Sequence, residues 1–514
     1  MSAAVDRILA ARDNRETVVV HGDYDADGVT STALLVECLA SLGLTVVPFI
    51  PTRDAGYDLK AEVLSRLHET GATLVIAIDC GITAVREVEH ARDLGLDIII
   101  ADHHHVARSI PRAVAVINPH QSSCRYPFKD LCAVGIAYKL ALALFERTDR
   151  DPSEATRWLD LVAMGTVADV VPLMGENRAL VVAGLRGLNQ TTRPGLQALF
   201  RQAGLNAGEI TSRSIGYVIA PRLNASGRLN DATVSLDLLL TESVDRANEL
   251  AGQLEEANRE RRQLTSDAVD LARFQVNNLG AAAGRLPTVL MVKDASFRAG
   301  VVGLVAGRLV EEFGRPALVG EERDGKIRGS ARSIEGFHLA EALARCAEWL
   351  DHHGGHAMAA GFTMGIENWP RFQQALELVA ASELSDANLE RHIRIDVELT
   401  ARKHTADILE VLDRLEPLGI GNLRPVFRTN GLQIREKRVV GATVPGHLKL
   451  RLFDPKEPRS TKTIWEAIGF GMGARMGDVS SAVDIVYSVE RNTWDGRVSA
   501  QFRLLDLRPS SPLS

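Results

Sequence analysis

The segment VVVHGDYDADGVTST, residues 18–32, places Asp23, Asp25 and Asp27 at every second position directly after the apolar run Val18–Val20. On extended backbone, alternate side chains share one side, so the three carboxylates crowd together. Crowded like charges are costly unless cations offset them, and oxygen-rich clusters suit hard divalent ions. Taken alone, the run also fits a solvated loop around an Asp-Gly turn. Three further motifs shift the balance toward a metal site. Asp79 in AIDCGI closes the apolar run Leu74–Ile78, the string Asp102–His103–His104–His105 follows Ile98–Ala101, and Asp169 stands in MGTVADVVPL. Mixed Asp/His ligation with oxygen in the majority suits Mn²⁺ or Mg²⁺ better than zinc. Two such ions about 3.5–4 Å apart, bridged by one carboxylate, make a phosphoryl-transfer site.

The elements that must position these motifs alternate strand and helix. Val18–Val20, Leu44–Ile50, Leu74–Ile78 and Asp97–Ala101 read as strands, separated by helical patterns near Ser31–Leu42, Ala61–His68 and Val85–Leu94. This rhythm predicts a parallel sheet with helices on both faces, whose ligands bind beyond the carboxyl ends of the strands. Each acidic motif follows an apolar run at once, at such an end. Ala247, Leu250, Leu254, Ala257, Leu264, Ala268 and Leu271 recur at steps of three and four within 243–275, a long amphipathic helix. It reads as a connector between lobes rather than a coiled-coil dimer.

A second α/β unit follows, with strands at Leu286–Val292 and Pro316–Val319 and helices at Val301–Phe313 and Leu339–Trp349. Beyond residue 390, apolar residues alternate strictly with polar ones: Ile393, Ile395, Val397, Leu399; Leu448, Leu450, Leu452; and Val498, Ala500, Phe502, Leu504. That period predicts an antiparallel barrel or sandwich.

A chain of 514 residues implies about three domains. Hydrophobic content of 46% and charged content of 24% describe a globular protein. No apolar run reaches the roughly 18 residues of a bilayer span, and no signal-peptide pattern follows Met1–Asp6; a cytoplasmic location is expected. Cys38, Cys80, Cys124, Cys132 and Cys346 form no C-x-x-C pair and read as reduced thiols. The net charge of −7 requires any basic nucleic-acid groove to be local.

HGDYDADG, AIDCGI, ADHHH and GTVADVVPL occur in the order and spacing of the four motifs of the DHH phosphoesterases, and the chain is identified as resembling that family. GSARSIEGF and GGHAMAAGF resemble its DHH-associated domain. PRLNASGRL, LGIGN and the C-terminal β segment narrow the resemblance to the single-strand-specific 5′→3′ exonucleases of bacteria. The resemblance implies an α/β fold with a parallel-sheet DHH domain at 1–242, a connecting helix at 243–275, a smaller α/β DHH-associated domain at 276–385 and an OB-like β-barrel at 390–514.

It also implies roles. His21, Asp25, Asp27, His103 and Asp169 would be metal ligands, and Asp79 would bridge two Mn²⁺ or Mg²⁺ ions. His104 would sit beside the scissile phosphate or the second metal, with Asp102 orienting a histidine. Asp23 would either ligate or hold the loop. Arg53, Ser330 and Arg332 match positions that anchor a 5′-phosphate, although Arg53 alone also fits a surface salt bridge. Arg222 and Arg228 would line the strand path, or belong to a structural turn. His356, flanked by glycine and alanine, would approach a phosphate, or start a packed helix. Lys449 and Arg451 could give the barrel a basic face, or lie on an ordinary solvated strand.

The implied activity is single-stranded-DNA-specific 5′→3′ exonuclease action releasing 5′-mononucleotides, in recombination and repair. The implied partners are single-stranded DNA, a single-strand-binding protein and a helicase, with the enzyme a monomer and no membrane involved. Two other readings are a DHH hydrolase of short RNA oligomers or cyclic dinucleotides, whose chains usually lack the C-terminal β domain, and a non-catalytic replication-helicase subunit, which would have lost metal ligands. Three departures from the pattern stand out. Cys80 replaces the usual Asn, Asp58 replaces a usual Gly, and only 20 residues precede His21, so a lid or docking segment is expected to be missing.

Overall fold

The computed structural model describes residues 1–52, 58–106, 109–229, 232–385, 389–390, 392–400, 408–441, 446–456, 463–494 and 497–510. It comprises two compact units. The first contains Met1–Val171 and Gly175–Arg391, and the second Pro172–Met174 and His392–Ser514.

The first unit opens with five parallel strands: β1 (Thr17–His21), β2 (Thr45–Phe49), β3 (Ala72–Ile78), β4 (Asp97–Ala101) and β5 (Ala115–Ile117). Their order is β2-β1-β3-β4-β5. β1, β3 and β4 are runs of Val, Ile and Ala buried on both faces, the pattern a helix-covered parallel sheet requires. The chain leaves β1 toward one edge and returns at β3 toward the other. The crevice at the carboxyl ends of β1 and β3 is therefore the topological switch point, where such sheets bind ligands. His21 pairs with Ala77 across it, and the HGDYDADG and AIDCGI motifs flank it.

The helix after β1 spans Ala26–Ser41 and starts well before the expected Ser31. Asp25 explains the difference: it is the N-cap, its Oδ1 accepting the amides of Asp27 and Gly28 at 2.9 and 3.0 Å. The connecting helix is also longer than expected, running 40 residues from Val244 to Ala283, about 60 Å at 1.5 Å per residue. Its buried stripe extends past residue 275 through Ala272 and Val276, which join the core of the second lobe with Leu290, Val305 and Val319. This continuity is what a connector between lobes needs. PRLNASGRL is not a turn but a helix, Ala220–Leu229.

The second lobe of this unit holds β6 (Leu290–Asp294), β7 (Ala317–Arg323), β8 (Lys326–Arg332), β9 (His352–Gly355) and β10 (Ala359–Gly365), ordered β6-β7-β8-β10-β9. Helix Ala299–Phe313 packs on this sheet. The expected helix 339–349 is a helix over Leu339–Arg345 followed by a short turn of tighter helix at Ala347–Trp349. In β8, Ile327, Gly329 and Ala331 are buried while Arg328, Ser330 and Arg332 turn to the other face. A Cβ on Gly329 would stand 2.2 Å from the ring of Phe362, its cross-strand partner, so glycine is required there.

The second unit contains β11 (Val397–Glu398), β12 (Phe427–Val440), β13 (His447–Phe453), β14 (Trp465–Gly469), β15 (Ala482–Trp494) and β16 (Arg497–Pro509). A β12–β15 pairing closes the sheet into a barrel. Leu448, Leu450, Leu452 and Phe502 fill its core as their alternation predicts. The alternation at 393–399 misleads: Ile393, Ile395 and Val397 are 41%, 37% and 41% exposed, and only Val397–Glu398 is strand. That segment meets the barrel at its edge, in parallel with Phe427–Arg428. Among the described residues no helix is long and apolar enough to cross a membrane. All five cysteines are free.

Candidate active site

The acidic motifs converge at the switch point. Three groups of side chains each bring ligand atoms within 4.8 Å of one another: Asp23, Asp25 and Asp79; Asp27, His103 and Asp169; and Asp79, His103 and His104. Asp79 joins the first group to the third, the geometry of a bridging carboxylate. His103 Nε2 lies 3.2 Å from Asp79, 3.6 Å from Asp169 and 3.9 Å from Asp27. Burial, reinforced by neighbouring His104, holds the His103 imidazole down at about 3, so its ring is neutral and presents a lone pair. That nitrogen is buried with no hydrogen-bond partner among the described residues.

The carboxylates are held under tension. Burial, then the surrounding aspartates, pushes Asp79 and Asp169 well above the usual carboxylate range. Burial and Asp25 push Asp27 up to about 7. A buried set of this kind, mostly oxygen with neutral imidazole, fits two hard divalent cations, which would cancel the repulsion. Backbone strain marks the same places: Asp79 has φ 64° and Val170, next to Asp169, φ 63°. Non-glycine residues persist in this region only where their surroundings hold them.

Supports of three kinds fix the cluster. Asp27 accepts the amides of Ala133 and Val134 at 2.7 and 2.9 Å, at the start of helix Ala133–Arg147. Asn224 Oδ1 accepts the amide of Ala26 at 2.7 Å, so the PRLNASGRL helix holds the HGDYDADG loop. Asp102 accepts His104 Nδ1 at 2.7 Å and the amides of His104 and Ile82, both at 3.0 Å. Burial alone would raise Asp102; the His104 contacts outweigh it and hold the carboxylate down, and His104 is raised in turn. Asp102 thus holds His104 by both its ring and its amide.

Sequence reasoning left Asp23 undecided, and the structure places it in a ligand group with Asp25 and Asp79. Its alternation with them was the available signal. His21 is in none of the three groups. It is buried behind them, its Nδ1 3.7 Å from Cys80 Sγ and its ring 5.1 Å from that of Phe49. Asn224 and the Ala133–Val134 amides went unread because they lie 198 and 106 residues or more from the groups they hold.

Beside the cluster lies a cavity of about 730 Å³, lined among others by Thr52, Arg228, Ser330, Arg332, Gly355 and Ala360. Arg332 donates to Ser330 Oγ at 3.0 Å, burial lowers its guanidinium pKa, and no carboxylate pairs with it among the described residues. A Cβ on Gly303 would stand 3.0 Å from Ser330 Oγ and 3.1 Å from Arg332 Nη2, so the glycine leaves this fork its room. Arg228 donates to the Gly300 carbonyl at 2.9 Å. Arg222 is held by Glu255 at 2.7 Å and does not line the cavity. His356 lies in the β9–β10 turn, not at a helix start, with its ring 5.3 Å from His105. Arg53 falls outside the described residues. On the barrel, Lys449 and Arg451 face Glu466 and Glu436 at 3.1 and 3.5 Å, so that strand face is charge-balanced rather than basic.

Family models match three segments: the DHH family N-terminal domain at 17–166, the DHHA1 domain at 286–382 and the RecJ OB domain at 395–506. The single-stranded-DNA-specific exonuclease RecJ of Bacillus subtilis is 36% identical over 98% of this chain, which spans 63% of that protein's length. The enzyme of the same name from Escherichia coli is 33% identical over 98% of this chain and 90% of its own length. The crystal structure of RecJ in complex with Mn²⁺ from Thermus thermophilus superposes with a TM-score of 0.84 at 31% identity, over 99% of this chain and 72% of that one. Three domain matches in order, near-complete coverage and a shared fold together place this chain in the RecJ family of DHH proteins.

Proposed function

We propose that this chain is a metal-dependent exonuclease that degrades single-stranded DNA from its 5′ end, releasing 5′-mononucleotides in recombination and repair. The observation that carries the reading is the position of the Ser330–Arg332 fork in a cavity beside the Asp79–His103 cluster. On this reading, one nucleotide lies between the anchored 5′-phosphate and the phosphodiester to be cut. Asp23, Asp25, Asp27, Asp79, His103 and Asp169 would hold two Mn²⁺ or Mg²⁺ ions, the ions for which T. thermophilus RecJ structures are named. Such ions supply a hydroxide nucleophile and offset charge on the phosphoryl oxygens.

The chain's own residues do the rest. His104, oriented by Asp102, would donate to the scissile phosphate. Arg332 and Ser330 hold the terminal phosphate. Arg228 and His356 steady the strand between the lobes. A carboxylate-free fork suits a dianion, since an arginine already paired would have to give up its partner. The enzyme works in the cytoplasm as a monomer, alongside a single-strand-binding protein and a helicase. The complete carboxylate set argues against a non-catalytic subunit.

The test incubates the purified chain with Mn²⁺ and three substrates: 5′-phosphorylated single-stranded DNA, the same DNA as duplex, and a short RNA. Degradation of the single strand well ahead of the other two is expected. Equal or faster digestion of the short RNA would overturn the reading.

A further inference from the structure

The cavity does not end at the Ser330–Arg332 fork. β8 turns Arg328, Ser330 and Arg332 to one face. At about 3.4 Å per residue, Arg328 stands roughly 14 Å from Arg332 with Ser330 midway. The Arg332 end is the catalytic side. It pairs with Ala359, in the hairpin whose His356 ring approaches His105. Arg328 therefore lies on the far side of the anchor from the metal cluster, and there Arg298 and Arg323 line the same cavity. Among the described residues neither Arg298 nor Arg328 is ion-paired, and Arg323 reaches only its neighbour Asp324, at 3.5 Å. Two carboxylates share the lining, Glu260 and Glu321, and Glu321 is turned to the Ala299 amide at 3.1 Å. With Arg228 and Arg332, five guanidiniums line the concavity against two carboxylates, one of them engaged, which leaves unbalanced positive charge where a strand ending in a monophosphate has nothing to place.

We propose that Arg298, Arg323 and Arg328 form a second anionic subsite, which takes the β- and γ-phosphoryl groups of a 5′-triphosphorylated single strand. This rests on the reading that Ser330 and Arg332 hold the phosphate nearest the ribose. The reaction is unchanged and balances as hydrolysis. Water adds its oxygen to the phosphorus linking the first two nucleotides, the P–O3′ bond breaks, and O3′ leaves with a proton. The first turnover then releases a nucleoside 5′-triphosphate and leaves a 5′-monophosphorylated strand, so the subsite serves initiation only.

The experiment uses the full chain with Mn²⁺ in excess and 3′-labelled single-stranded DNA carrying a 5′-hydroxyl, 5′-monophosphate or 5′-triphosphate. The triphosphorylated strand is expected to be degraded at least as readily as the monophosphorylated one, with nucleoside triphosphate recovered by ion-exchange chromatography. Arg328→Ala and Arg298→Ala should each raise the KM for the triphosphate relative to the monophosphate about tenfold, as expected for loss of a charge-assisted contact. Arg332→Ala should raise both. A triphosphorylated strand handled no better than the hydroxyl one, with the monophosphate still preferred, overturns the subsite and leaves the anchor standing. A ratio unchanged in both Arg328→Ala and Arg298→Ala overturns it too. No preference for any 5′-phosphate overturns the anchor and the subsite together.

Discussion

Asp58, nine residues after the end of β2, accepts the amide of Gly81 at 2.7 Å, two residues past Asp79. Its other oxygen accepts Thr83 Oγ1 at 2.6 Å. From the opposite side, Asp102 accepts the amide of Ile82 at 3.0 Å. The loop that carries Asp79 is thus clamped between carboxylates following β2 and β4, the strands outside the switch-point pair. Asp58 has φ 75°, a conformation that favours glycine; these hydrogen bonds offset its strain.

Asp58→Gly should therefore relax its own backbone yet lose the clamp. With hydrogen bonds worth about 0.5–1.5 kcal/mol each, the net effect expected is a loss of roughly 1 kcal/mol. Mn²⁺ affinity should weaken as well, because Asp79 at φ 64° is held from both sides. Calorimetric Mn²⁺ titration with a thermal melt checks both, and an unchanged affinity would show that the clamp does not serve the metal site.

How much of this was legible beforehand follows from how local each signal is. Strands β1, β3 and β4 are short buried apolar runs, and the acids that end them stand out against that background. The long helix was plain from its stripe of Leu and Ala. The strands β8 to β10 were not, because glycines such as Gly329 replace apolar residues on the buried face, where Phe362 fills the space. The exposed alternation at 393–399 shows the converse: period two reports a pleat, and burial depends on what lies across from it. In the site, the clustered acids and histidines were readable from strand ends, whereas Asn224 and Gly303 act through distant contacts that leave no mark in their own segments.

His356 offers a pH dependence. Burial, then His105 and His104, lowers its pKa, and His120 lies against His105 with ring centres 5.2 Å apart. A lowered pKa keeps the imidazole neutral at pH 7, so substrate KM should be flat from pH 7 to 8. It should fall on acidification, as the ring gains charge below its lowered pKa. His356→Gln, which keeps a hydrogen-bond donor, should remove the acid-side fall and stay within about threefold of the parent KM at pH 7.5. A KM that rises on acidification in the parent but not in His356→Gln would contradict the phosphate-facing role.

Val170 is 63% exposed and sits at φ 63°, where a β-branched residue costs about 1–2 kcal/mol. Val170→Gly relieves that cost and adds roughly 0.5–1 kcal/mol of unfolded-chain entropy. The expected outcome is a modest rise in melting temperature, about 1–3 °C, measured by calorimetry in excess Mn²⁺. A lower melting temperature would mean that the Val170 side chain contributes packing greater than its strain.

Asp79→Asn should move stability and activity in opposite directions. The metal-free protein carries Asp79 among Asp23, Asp25, Asp27 and Asp169, with burial and these neighbours pressing it toward protonation. A neutral isostere removes the cost of holding that carboxyl in the cluster, charged or protonated, so the metal-free variant should melt higher than the metal-free parent, by the equivalent of about 1–2 kcal/mol. The same change deletes the oxygen shared by two of the three ligand groups. Turnover on 5′-phosphorylated single-stranded DNA should then fall at least ~10³-fold, about 4 kcal/mol of lost transition-state stabilisation. Mn²⁺ should also raise the variant's melting temperature less than the parent's. Retained turnover, or a metal-free variant that melts below the metal-free parent, would mean that Asp79 neither bridges the ions nor bears the repulsion assigned to it.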